Sequence, residues 1–164
     1  MEKYWASHLE ALASVAQPEA GFKSLDAIAQ DHVGAPLFTV MIHDFKEGRA
    51  RRIYSNRNDV YPVGGWKPIE RNRYYRTVVE QHQPHVNRTI DDVREVFFDH
   101  ELIRSLGCES SCHIPVVVEG TLLGVFNMLN VSEYYTPEKV ERGRELRPFA
   151  IGPLFLARKH HSVW

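Results

Sequence analysis

Two short stretches hold the side chains that could do chemistry. The run Cys108-Glu109-Ser110-Ser111-Cys112-His113 contains the only two cysteines of the chain. A closed zinc site takes about four nitrogen or sulfur ligands, more than this run supplies, so no metal is assigned to it. Two neighbouring thiols could cycle through a disulfide, provided that one is an exposed thiolate of low pKa. The competing reading makes both cysteines small buried hydrophobes. The second stretch is Phe97-Phe98-Asp99-His100-Glu101, where an imidazole beside an acid suggests a general base. Consecutive helix positions point about 100° apart, so Asp99 and His100 do not face each other. What survives is His100 as a polar handle on an apolar stripe.

Around these runs the middle of the chain is dense in aromatics: Tyr61, Trp66, Tyr74, Tyr75, Phe97 and Phe98. Aromatic side chains are the usual lining of a small-molecule pocket and equally the usual filling of a sheet–helix core. Trp66, next to Gly64-Gly65 in a loop of turn formers from Asn56 to Pro68, stands out as a lid or wall.

Strands and helices must position these groups. Ile114 to Val118 and Thr121 to Asn130 are apolar and β-branched, and Glu119-Gly120 between them is a two-residue turn, which reads as a hairpin. Both faces of the second strand are mostly apolar, so it is central and covered twice. Pro115 is expected near the start of its strand, its nitrogen side unpaired or at a bulge. Leu37 to His43 reads as another central strand, turning at Asp44 to Gly48 into Arg51 to Ser55, which alternates like an edge strand. On this reading the basic cluster Arg49, Arg51, Arg52 and Arg57 is a solvated edge rather than a nucleic-acid footprint.

Helical spacing marks Glu2 to Ala16, then a helix capped by Ser24 that carries Leu25, Ile28, Ala29, His32 and Val33 and stops at Gly34. Ile69 to Gln83 reads as a helix stopped by Pro84, and His85 to Thr89 as a short strand. Thr89 and Asp92 form a capping-box-like start for a helix from Ile90 to Arg104. A last helix, capped by Thr136 with Pro137 behind it, must kink or divide at Pro148 and Gly152-Pro153. Residues 1–164 form one domain, with a helical extension over 1–20, a body over 21–158 and a mobile tail over 159–164.

The 164 residues are 43% hydrophobic and 25% charged with a net charge of -1, the profile of an ordinary soluble globular protein. No apolar run reaches the roughly 20 residues that cross a bilayer, and the N-terminus lacks a signal-peptide core. A cytoplasmic protein with reduced thiols and no membrane or nucleic-acid partner is the expectation.

The order of elements predicts an α+β domain: an antiparallel sheet of about five or six strands, terminal helices on one face and a pocket-forming segment on the other. The run GCESSCHIPVVVEGTLLGVFNMLNVSEYYTPEKVERGRELRPFA, from Gly107 to Ala150, resembles the second half of a GAF domain. It has the polar loop, the strand with proline, the two-residue turn, the Gly-containing strand and the Thr-Pro-capped helix. Over Leu25 to Ile53 the likeness is one of element order. The resemblance implies a small-molecule-binding sensory module with its pocket between the sheet and the variable middle segment. It also implies a homodimer through the terminal helices. No output domain follows the last helix here, so the readout is expected from a separate partner.

Trp66, Tyr75, Phe98 and His100 are expected to line that pocket, with Ser111, His113 and Asn127 as polar contacts. Ligand and cofactor stay unassigned. Two alternatives remain open. One is a thiol enzyme or sensor working through Cys108 and Cys112, in the manner of GAF-like methionine sulfoxide reductases. Their upstream cysteine would fall near Ile103-Arg104, where this chain has no thiol. The other is a protein-interaction subunit without a ligand.

Overall fold

A computed structural model describes every residue from Met1 to Trp164. Six strands form one antiparallel sheet: β1 (Leu37–Asp44), β2 (Arg49–Ser55), β3 (Lys67–Pro68), β4 (His85–Asn87), β5 (Ser110–Val118) and β6 (Thr121–Asn130). Their order across the sheet is β3-β2-β1-β6-β5-β4. One face is covered by α1 (Glu2–Ala13), α2 (Glu19–His32), α5 (Pro137–Arg144) and α6 (Arg147–His160). The opposite face lies under residues 56 to 105, which hold a wide-turn helix (Tyr75–Glu80), α3 (Ile90–Val96) and α4 (His100–Ser105). The α+β class and the central β5–β6 hairpin are as the sequence predicts. Glu119 (φ 51°) and Gly120 (φ 71°) both adopt the left-handed conformation that a tight hairpin turn requires.

Along β6, Gly124, Phe126 and Met128 face the helices, whereas Val125, Asn127 and Leu129 face the other side. The alternation slips once. Val116 pairs with Gly124 but Val117 pairs with Leu122, so Leu123 is the extra residue of a bulge. Arg158 of α6, only 3% exposed, holds this bulge. Its Nη1 donates to the carbonyls of Leu123 (3.2 Å), Leu122 (3.4 Å) and His43 (3.4 Å). Gly124 is required here, because a Cβ would lie 2.5 Å from Leu154 Cδ2 and 2.6 Å from the Met41 carbonyl oxygen.

Several boundaries differ from expectation, each for a local reason. Ser24 is not a cap: α2 already starts at Glu19, where Gly21 and Phe22 are buried, and Ser24 Oγ bonds His8 Nδ1 at 3.0 Å. Pro115 lies within β5 rather than near its start. β4 pairs only with Ser111 to His113, so on the side away from β6 no strand runs beside Pro115 to miss its N–H. Ile69 to Gln83 is helical only from Arg73, after Asn72 Oδ1 accepts the Tyr75 N–H at 3.1 Å. The capping box at Thr89 and Asp92 is present, but the helix that it starts ends at Val96. Phe97 is extended and α4 begins anew at His100. β5 starts at Ser110, so Ser110 to His113 belong to a strand and not to a polar loop. The last helix divides at Glu145-Leu146. Val163 in the tail is 3% exposed and joins the core, its N–H donating to the Arg158 carbonyl at 3.0 Å. No helix is long and apolar enough to cross a membrane.

Candidate ligand pocket

Cross-strand register explains what the second face displays. Thr39 pairs with Asn127, Asn127 with His113 and His113 with His85, so one row across β1, β6, β5 and β4 is polar. A buried polar row must satisfy itself. Asn127 Nδ2 donates to Thr39 Oγ1 (3.0 Å), and Asn127 Oδ1 accepts from His113 Nδ1 (2.7 Å). With its proton on Nδ1, His113 accepts the Ser111 hydroxyl at Nε2 (2.8 Å). Asn87 continues the chain, donating to Ser111 Oγ (2.9 Å) and accepting from His85 Nε2 (3.0 Å). Burial, with the nearby His85 adding to it, lowers the His113 pKa to about 3 and keeps the ring neutral.

Above this floor is a cavity of about 630 Å³, half of its lining residues hydrophobic. That volume falls in the range of small-molecule sites, roughly 300–1,000 Å³. Met41, Leu129, Val96, Phe97, Tyr74 and Tyr75 supply much of the apolar wall. The break after α3 matters here. An extended Phe97 places its ring 5.1 Å from His113 and 5.5 Å from Tyr74. Asp99, which an unbroken helix would carry elsewhere, accepts the Tyr61 hydroxyl at 2.6 Å. Arg52 on β2 completes the group, with its guanidinium 3.6 Å from the Tyr61 ring centre and Nη2 3.7 Å from Asp99 Oδ2.

Of the residues expected at the site, Tyr75, Phe98, His113 and Asn127 line the cavity. Ser111 stands one hydrogen bond behind, supporting His113. Trp66 does not line it. On extended backbone adjacent residues point to opposite sides; Lys67 faces the cavity, so Trp66 turns towards the helices. There it stacks under Arg49 (4.7 Å) and meets His161 edge-on (6.2 Å). His100 is also outside, because the helix restarts at that residue instead of carrying a continuous stripe.

Cys108 and Cys112 are both buried thiols, and they belong to different apolar clusters on opposite sides of the sheet. Burial raises the Cys108 pKa and pushes Cys112 up to about 12. Neither has the exposed thiolate that thiol exchange requires.

Among the wall residues that the sequence does not mark are Arg52, Thr39, Met41, Val96 and Leu129. The sequence pattern reads Arg52 as part of a solvated edge. The loop from residue 56 to 66 folds over it, and Nη1 donates to the Pro62 carbonyl at 2.9 Å. The signal was its parity with Ala50 on β2, which is legible only once the β1–β2 register is known.

The molecule is thus an antiparallel sheet with helices on one face and a lidded pocket on the other. This is the GAF fold. The GAF domain of a two-component sensor histidine kinase from Bacillus halodurans superposes with a TM-score of 0.70 at 11% identity, over 88% of this chain and 98% of that one. The GAF domain of a phosphoenolpyruvate-protein phosphotransferase from Coxiella burnetii gives 0.70 at 15% identity, over 99% and 96%. A GAF domain/HD domain protein from Geobacter sulfurreducens gives 0.68 at 12%, over 90% and 97%. No family model matches the sequence, and no curated protein does.

Proposed function

We propose that this chain is a small-molecule-binding sensory module of the GAF type that acts through a partner protein. The observation that carries this reading is the cavity of about 630 Å³ between the sheet and residues 61 to 103. A face meant only for packing would be filled, as the helical face is. The similar structures come from larger signalling proteins, namely a sensor histidine kinase and a phosphotransferase, which supports a role in which ligand occupancy is passed on. Exposed Trp5, Leu9 and Phe155 on α1 and α6 supply the surface for a homodimer through the terminal helices. Native mass spectrometry of the purified protein and a thermal-shift screen of nucleotides, amino acids and aromatic acids test the binding claim. A bound or stabilising compound is expected. Absence of both, with the cavity closed to apolar probes, contradicts it.

A further inference from the structure

The charges that line the pocket cancel. Arg52 and Asp99 lie in its wall, Lys67 and Glu70 at its exposed rim. His43 also lines the pocket and is kept neutral, its pKa lowered to about 4 by burial and then by the charge of Arg158. A mono-anion would meet Arg52 but be repelled by Asp99, and a mono-cation the reverse. A molecule with both signs on neighbouring atoms is matched by both.

Arg52 and Asp99 do not exhaust each other. The guanidinium lies over the Tyr61 ring and spends Nη1 on the Pro62 carbonyl, and Nη2 stands 3.7 Å from Asp99 Oδ2, beyond hydrogen-bond reach. Arg52 Nε is buried without a partner. Asp99 receives the Tyr61 hydroxyl on Oδ2, which leaves Oδ1 free of protein partners. The side chains of the pair are 19% and 16% exposed, shielded enough for their charges to count.

We infer that the pocket takes a zwitterionic α-amino acid with an apolar or aromatic side chain. The carboxylate pairs with Arg52, the ammonium with Asp99, and the side chain lies against Met41, Val96, Phe97 and Leu129. Opposite charges this close suit groups carried on one carbon atom, and the volume leaves room for an aromatic ring. This inference rests on the small-molecule reading above.

Isothermal titration of the full chain with L-phenylalanine, L-leucine and L-methionine tests it, against 3-phenylpropionate and 2-phenylethylamine, which each lack one charge. At least one amino acid should bind, with the single-charge analogues about 10- to 100-fold weaker. Asp99→Asn, which keeps an acceptor for Tyr61, should lower amino-acid affinity by a similar factor while leaving 3-phenylpropionate no weaker. Arg52→Gln should do the converse for 2-phenylethylamine. Met41→Trp, which fills the cavity, should abolish binding. Equal affinity for phenylalanine and 3-phenylpropionate overturns the inference, as does the failure of every amino acid. If a different compound from the thermal-shift screen binds and Met41→Trp blocks it, this inference alone falls. If Met41→Trp blocks nothing, the pocket reading falls with it.

Discussion

The face of the sheet beneath α2 and α6 and the face beneath residues 56 to 105 are made from the same strands, yet they are filled differently. On the first, Phe22, Phe38, Phe126, Phe149 and Leu154 are wholly buried, and Gly124 admits Leu154 where no Cβ would fit. On the second, a polar row satisfies itself along the floor and a cavity stands above it. The comparison teaches that stability is concentrated on the helical face, which leaves the pocket face free to carry polar groups and space.

Substitutions should separate the two faces. Phe126→Ala, which removes a ring 5.9 Å from Phe38 in the filled core, should cost about 3–5 kcal/mol in urea unfolding. Met41→Ala on the cavity wall should cost about 1 kcal/mol or less, since open space already adjoins it. Equal losses would contradict the contrast.

The pocket face should also dominate the acid limb of stability. His43 and His113 titrate near 6.5 when unfolded and at about 4 and about 3 when folded. The unfolded state therefore binds more protons below about pH 6.5. Their contribution is complete above that value and is lost as pH falls through it towards the folded values. Roughly 2 kcal/mol per histidine should be gone near pH 5, and His43→Phe should flatten the slope of the unfolding free energy against pH. A flat wild-type profile between about pH 7 and pH 5 would rule this out.

Gly124→Ala should destabilise by about 1–3 kcal/mol, because the nearest atoms include a backbone carbonyl that cannot yield. A further substitution separates pocket from scaffold. Trp66→Ala should cost about 1 kcal/mol through its contacts with Arg49 and His161. It should leave ligand affinity unchanged in titration calorimetry; a large loss of affinity would return Trp66 to the pocket.

Much of the scaffold was legible in the sequence. Glu119-Gly120, Gly34 and the Thr89–Asp92 box act through local conformation and hydrogen bonds within a few residues, so their letters suffice. Periodicity also places Asn127 on one face of its strand, although it does not pair it with His113, which reads from the sequence as the end of a polar loop. What stayed hidden depends on contacts distant in sequence. The break at Phe97 is settled by Tyr74, His113 and Tyr61, and the place of Arg52 by a loop that folds back over β2. A helical stripe through His100 was the natural local reading. Tertiary contacts overrode it.

We propose that the face opposite the helices, and not the helical face, receives a small molecule. Methyl-resolved NMR tests it most directly, with the compound that stabilises the protein most in the thermal-shift screen titrated into labelled protein. Shifts concentrated at Met41, Val96 and Leu129, with Met128 and Leu154 nearly unmoved, are the predicted result. Shifts led by Met128 and Leu154, or spread evenly over both sets, would contradict it.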